Sequence, residues 1–189
     1  MNSLDGKALL DVARDAIRAG LRTGRPWLPD CLGYPEALRA RRSAFVTLRR
    51  HSELRGCVGG LEAVQPLVVD VAAHAFAAAF RDPRFPPLEE RELAGLDLHI
   101  SVLNPPEPLA FGSEEELLAV LRPGVDGLIL QEGPRRGTFL PAVWESVADP
   151  REFLRELKRK AGLPPDHWSE AIRVQRYTVE TVSAEEPSR

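Results

Sequence analysis

The sequence predicts an α+β fold: a largely antiparallel sheet flanked by helices. Three observations carry this prediction. Two stretches, 44–60 and 125–140, read as β-hairpins. From Leu96 to Leu103 apolar and polar residues alternate with period two, as in a half-buried strand. The helical segments between them do not recur with the period of a strand–helix–strand repeat. At 189 residues the chain is expected to form one domain, or two small lobes sharing a core, with enough surface to bury on folding.

Each element has a local reason. Over 4–19, Leu9, Val12, Ala13, Ala16 and Ile17 recur at helical spacing, with Gly20 as the expected stop. Segment 22–40 is rich in glycine and proline and reads as a loop, anchored by Trp27 and Leu28. Ala44–Leu48 is β-branched and aromatic, and Leu54–Gly60 follows after a polar turn. Pro66 opens a helix to Phe80 that is apolar nearly all round, and so expected to be buried against Leu96, Leu98, Ile100 and Val102. Asp82–Pro87 is a stiff extended loop, followed by a short helix at 89–93. Ser113 and Glu116 form a capping-box pattern ahead of a helix to Leu121. Asp149 caps a helix over 150–161, ended by Gly162 and Pro164. Ala171–Val182 reads as a last strand whose alternation changes phase near Arg176, suggesting a bulge, before a charged tail from Ser183.

Composition bounds the function. A net charge of −3 argues against bulk electrostatic binding to nucleic acid or acidic lipid, though not against a local basic patch. Such a patch is present in the sequence as Arg39, Arg41, Arg42, Arg49, Arg50 and Arg55, flanking the first hairpin. Cys31 and Cys57 do not make a disulfide framework. No export signal and no apolar stretch of membrane length is found. A cytoplasmic protein with reduced thiols and no membrane association is expected. His51, His74, His99 and His167 are scattered without zinc- or iron-ligand spacing, and no Walker lysine or dinucleotide fingerprint occurs. No cofactor or metal is expected.

The most informative segment is Glu53-Leu54-Arg55-Gly56-Cys57-Val58-Gly59. Glycines inside a strand imply a close approach by backbone or ligand. Strand alternation places Arg55 and Cys57 on one side, where a guanidinium favours the thiolate. Cys57 therefore reads either as a nucleophile or redox thiol, or as a small core residue.

Together, Ala44–Leu48 and Glu53–Gly59 resemble the signature of the AMMECR domain family, whose prokaryotic members include a component of the AmmeMemoRadiSam system. The resemblance runs on through Ala77–Pro87, Ile100–Pro108, Arg122–Leu128, Gly137–Pro141 with Trp144, and Lys160–Trp168. It covers nearly the whole chain as a single domain over 1–189. Three positions depart from the usual family pattern: Ser52, His74 and Ala142. The resemblance implies an α+β fold with a larger and a smaller lobe, and a cleft near the Leu-Arg-Gly-Cys-Val-Gly motif. It implies a substrate-binding or accessory component of a modification system, with a Memo-like protein and a radical S-adenosylmethionine enzyme as partners and RNA or another anionic ligand in view. The chain has no cysteine cluster for its own iron–sulfur centre, so radical chemistry would fall to the partner. The expected binding residues are Arg55, Gly56, Gly59, Arg84 and Phe85, with Cys57 the candidate catalytic residue. An enzyme working through Cys57 and a protein–protein adaptor using the 82–87 loop are the alternatives.

Overall fold

The computed structural model describes residues 3–184. In chain order its elements are α1 (Ser3–Thr23), α2 (Glu36–Arg39), β1 (Ala44–Arg50), β2 (Glu53–Gly59), α3 (Leu67–Phe80), β3 (Leu96–Leu103), β4 (Glu107–Pro108), α4 (Glu114–Val120), β5 (Gly127–Glu132), β6 (Arg135–Phe139), α5 (Pro150–Lys160), β7 (Arg173–Tyr177) and β8 (Val179–Ser183). Two four-stranded sheets result, ordered β2-β1-β3-β8 and β4-β7-β5-β6, rather than one. The chain divides into two compact units: the segment up to Leu103 with the segment from Glu180, and Asn104–Val179.

In the first unit, α1 and α3 cover the face of the sheet that carries Ala44, Val46 and Leu48 of β1 with Leu98, Ile100 and Val102 of β3, all buried. Leu96, expected with them, is only half-buried. The helix α3 lies against β1 and β2, and α1 lies against β3, so the expected α3–β3 packing is shared out between two helices. Helix α1 continues through Gly20, because Gly20 sits beneath the rings of Phe76 and Phe80; a Cβ there would come within 2.3 Å of the Phe80 ring. The helix stops instead at Gly24, which takes φ +66° and donates to the Gly20 carbonyl at 2.8 Å. Trp27 and Leu28 do not anchor the following loop, being 37% and 51% exposed; Leu38 on α2 does, at 0%.

The β1–β2 turn is two residues long, with His51 at φ 52° and Ser52 at φ 66°. Both are left-handed, as the twist of a tight hairpin demands, and neither is glycine. Gly56 faces α3, where an added Cβ would meet the Ala78 carbonyl oxygen at 2.2 Å. This glycine lets helix and strand backbones approach. Gly59 lies under the Phe45 ring, 2.3 Å from an added Cβ.

In the second unit, α5 packs Phe153, Leu154 and Leu157, each fully buried, against β6. The Trp144 and Phe153 rings stack at 3.7 Å. The Ser113 hydroxyl caps α4 by accepting from the Glu116 amide at 3.2 Å, but the Glu116 carboxylate reaches the Gly112 amide at 2.7 Å instead of closing the expected box. The phase change read near Arg176 is not a bulge. After Tyr177 the chain leaves one sheet and enters the other as β8, so two strands replace the one expected. Ser183 still belongs to β8 and the Ala184 amide donates to the Leu98 carbonyl at 3.2 Å; the rest of the expected frayed tail lies outside the described residues.

Gly56→Val is expected to lower stability by about 3 kcal/mol or more, since the obstacle is backbone that has nowhere to move. Ser52→Ala should cost less than about 1 kcal/mol, and Ser52→Gly should match or exceed the parent by relieving a left-handed residue. Thermal unfolding of the three variants checks the ranking.

Candidate functional site

The residues singled out in the sequence gather at one edge of the first unit's sheet. Strand β2 is an edge strand, and an edge leaves backbone N–H and C=O groups unpaired. At Cys57 two side chains take the place of a neighbouring strand. The Asp82 carboxylate accepts the Cys57 N–H at 2.9 Å, and the Arg84 guanidinium donates to the Cys57 carbonyl at 3.3 Å. Asp82 and Arg84 are themselves joined in a fork, Nε to Oδ1 at 2.9 Å and Nη2 to Oδ2 at 2.6 Å. Asp82 can do this because it follows directly on the end of α3, which Gly56 has brought close to β2. The hydrogen bonds from Arg84, then those from the Cys57 and Arg84 amides, hold the Asp82 carboxyl well below the usual carboxylate range against the opposing effect of burial.

Arg55 departs from simple alternation. The β1–β2 register jumps from Leu48↔Gly56 to Arg49↔Leu54, which makes Arg55 the extra residue of a bulge. Its guanidinium grips Glu92 with Nε to Oε1 at 2.7 Å and Nη2 to Oε2 at 3.0 Å, with both side chains nearly buried. The third nitrogen, Nη1, is buried without a partner among the described residues. Glu92 also accepts the Glu89 amide at 2.9 Å, closing the turn that presents it. Its carboxyl is driven from 4.5 to about 2, chiefly by the Arg55 hydrogen bonds. Phe85 lies between the two ion pairs, its ring centroid 5.9 Å from the Arg55 guanidinium carbon and 5.6 Å from that of Arg84.

The site thus unites Arg55, Cys57, Arg84 and Phe85, and adds Asp82 and Glu92. Gly56 and Gly59 flank Cys57 in the motif, and the space a side chain would take is filled at Gly56 by the α3 backbone and at Gly59 by an aromatic ring. The two acids were within reach of the sequence reading. Asp82 stands two residues before Arg84 in a stiff loop, and Glu92 stands in the turn after it; what pairing each would find depended on tertiary contact. The basic patch divides. Arg42 pairs with Glu180 at 2.7 Å and Arg55 pairs with Glu92, while Arg49 and Arg50 lie at the opposite end of β1 from Arg42. It is not a continuous cationic rim.

Across the three strands Cys57, Thr47 and His99 are aligned in register. The Thr47 hydroxyl donates to Cys57 Sγ at 3.2 Å. His74 is bound to the buried Asp70 at 3.1 Å, and His167 to Glu132 at 2.9 Å. Among the described residues no group of three or more His, Cys, Asp or Glu is placed to hold a metal ion, and no helix is long and apolar enough to cross a membrane.

These features define a class: an α+β protein of two antiparallel sheets, the first bearing a thiol and two carboxylate-held arginines at its edge. A family model, AMMECR1, matches residues 10–182, and the chain belongs to that family. A protein of Methanothermobacter thermautotrophicus is 44% identical, covering 92% of this chain and 91% of its own length. One from Thermococcus onnurineus is 42% identical over 96% of this chain and 91% of its own. The crystal structure of the uncharacterized protein PH0010 from Pyrococcus horikoshii superposes with a TM-score of 0.87 at 39% identity, covering 96% of this chain and 92% of that one.

Two measurements test the site's electrostatics. A carboxyl with a depressed folded pKa contributes stability above its unfolded pKa and loses it as pH falls toward the folded value. For Glu92 that window runs from 4.5 down to about 2. Glu92→Gln should therefore be less stable than the parent at neutral pH and lose less on acidification through this range, as followed by denaturant unfolding. Asp82→Asn replaces a charged acceptor by a neutral one, and hydrogen exchange at the Cys57 amide should quicken about tenfold. Unchanged exchange would show that the carboxylate does not protect this edge.

Proposed function

We propose that the protein is a binding or accessory component of a modification system, acting with a Memo-like protein and a radical S-adenosylmethionine enzyme, and that it engages an anionic ligand or partner through Arg84 and Phe85. The partners follow from the family resemblance; the observation that carries the binding role is the Asp82–Arg84 fork. Asp82 is 3% exposed and Arg84 54% exposed, so a buried carboxylate holds an outward guanidinium in one orientation. Its Nη1 donates to no described residue and is free for an oxyanion. Phe85 gives a flat apolar surface beside it.

The surroundings of Cys57 favour binding over nucleophilic catalysis. Among the described residues its sulfur is hydrogen-bonded to the Thr47 hydroxyl, and a hydroxyl does not accept a thiol proton at neutral pH. A nucleophilic cysteine needs a base, or a cation left free to stabilise the thiolate. Here Arg55 is committed to Glu92, and Arg84, though close enough to Cys57 to act on its charge, is shared with Asp82, so no base stands beside the thiol among its hydrogen-bond partners.

The test uses the purified chain with the Memo-like and radical S-adenosylmethionine proteins of the same organism. Association and product formation should fall about tenfold or more in Arg84→Gln and in Phe85→Ala, with both variants folded by thermal unfolding. Cys57→Ser should retain both. Loss of turnover in Cys57→Ser alone would establish the thiol as the nucleophile. Unchanged behaviour of both Arg84→Gln and Phe85→Ala would reject the binding role.

A further inference from the structure

Two motifs remain outside the site just described: Asn104-Pro105-Pro106-Glu107-Pro108 and Arg122-Pro123-Gly124-Val125-Asp126. Both lie in the second unit. With Arg176, Tyr177 and Thr178 at the end of β7 they line a cavity of about 460 Å³, to which Asn104, Glu107 and Arg122 contribute. That volume suits a small metabolite.

The cavity has a rigid wall. Asp126 is wholly buried, and its carboxylate accepts the Arg122 amide at 3.0 Å, Arg122 Nε at 2.9 Å and Arg122 Nη2 at 2.6 Å. The turn is further locked where the Trp144 indole N–H donates to the Asp126 carbonyl at 2.7 Å. Arg122 is consequently held at one orientation with its side chain 49% exposed, and its Nη1 donates to no described residue. A second guanidinium, that of Arg176, lines the same cavity and makes no hydrogen bond or ion pair with the described residues. Glu107, its cross-strand neighbour, makes no hydrogen bond with the described residues, lies close enough to Arg122 to act on its charge, and is the carboxylate of the cavity wall. The Tyr177 hydroxyl is taken up by the Phe139 carbonyl at 3.0 Å and by Thr138 at 3.1 Å.

Half-buried guanidinium groups with donors to spare match planar or tetrahedral oxyanions. One nearby carboxylate adds an acceptor for a hydroxyl or amino group on the same ligand. We infer that this cavity is a second binding site, which takes a small molecule bearing a phosphate or carboxylate on Arg122 and Arg176, with an adjacent donor group on Glu107. It is separate from the Cys57 site and does not depend on the reading given for it.

The probes are inorganic phosphate and citrate, titrated into the 15N-labelled full chain and followed by amide chemical shifts. Shifts are expected at Thr178, Arg176 and Asn104, and they should weaken as sodium chloride is raised. A stronger response to one probe tells phosphate from carboxylate chemistry. Arg176→Gln is the decisive variant, because Arg176 has no partner to lose on folding. It should bind the preferred probe about tenfold more weakly at an unchanged melting temperature. The assignment is overturned if neither probe shifts these amides, if Arg176→Gln binds as the parent does, or if the shifts centre on Cys57 and Arg84 instead.

Discussion

The close approach of α3 to β2 governs the first unit. Gly56 has no side chain to hold the helix off, and the Ala78 carbonyl occupies the space a Cβ would fill. Because the helix ends so near the strand, Asp82 needs no long connection to reach the Cys57 amide. Once Asp82 is there, Arg84 is fixed by it, Phe85 follows against Arg84, and the turn at 89–92 brings Glu92 to Arg55. Gly56 is thus a cause of the site's geometry.

One device occurs in both units. A carboxylate buried by the fold carries an arginine that remains partly open: Asp82 with Arg84, and Asp126 with Arg122. Burying a carboxylate is unfavourable unless hydrogen bonds and a counter-charge surround it, and here two guanidinium bonds and backbone amides do so. The arginine gives up its freedom to rotate, so it meets a ligand already oriented. Each pair is neutral overall. Anion preference at such a position comes from directed N–H donors rather than from a surplus of positive charge, which is compatible with a chain of net charge −3.

Much of the site was legible in the sequence, and its limits are instructive. Arg55, Cys57, Arg84 and Phe85 were all identified from local pattern and family resemblance, and they do meet. Alternation puts Arg55 and Cys57 on one face, but alternation fails at a bulge, and the bulge is created by the register between β1 and β2. The arginine cluster of the first hairpin read as a cationic rim because their acidic partners, Glu92 and Glu180, lie far away in sequence. The motifs around Glu107 and Arg122 carried no chemistry as separate strings; they acquire it by sharing a cavity with Arg176.

By itself the sequence determined the type of the strongly patterned elements, because period-two and helical spacing are local: β3 spans Leu96–Leu103 as read, and α5 opens at Pro150 under its Asp149 cap, whereas the short helix α2 falls in a segment that reads as a loop. It determined the family too, through several motifs in order. What it left open were choices made by distant contacts. Whether Gly20 ends α1 was decided by the rings of Phe76 and Phe80. Whether 171–182 forms one strand or two was decided by the sheet edges available on either side of Thr178. Whether an arginine is free or bound was decided by which carboxylate the fold delivers to it, and that is a property of close approach in space that no local window of residues contains.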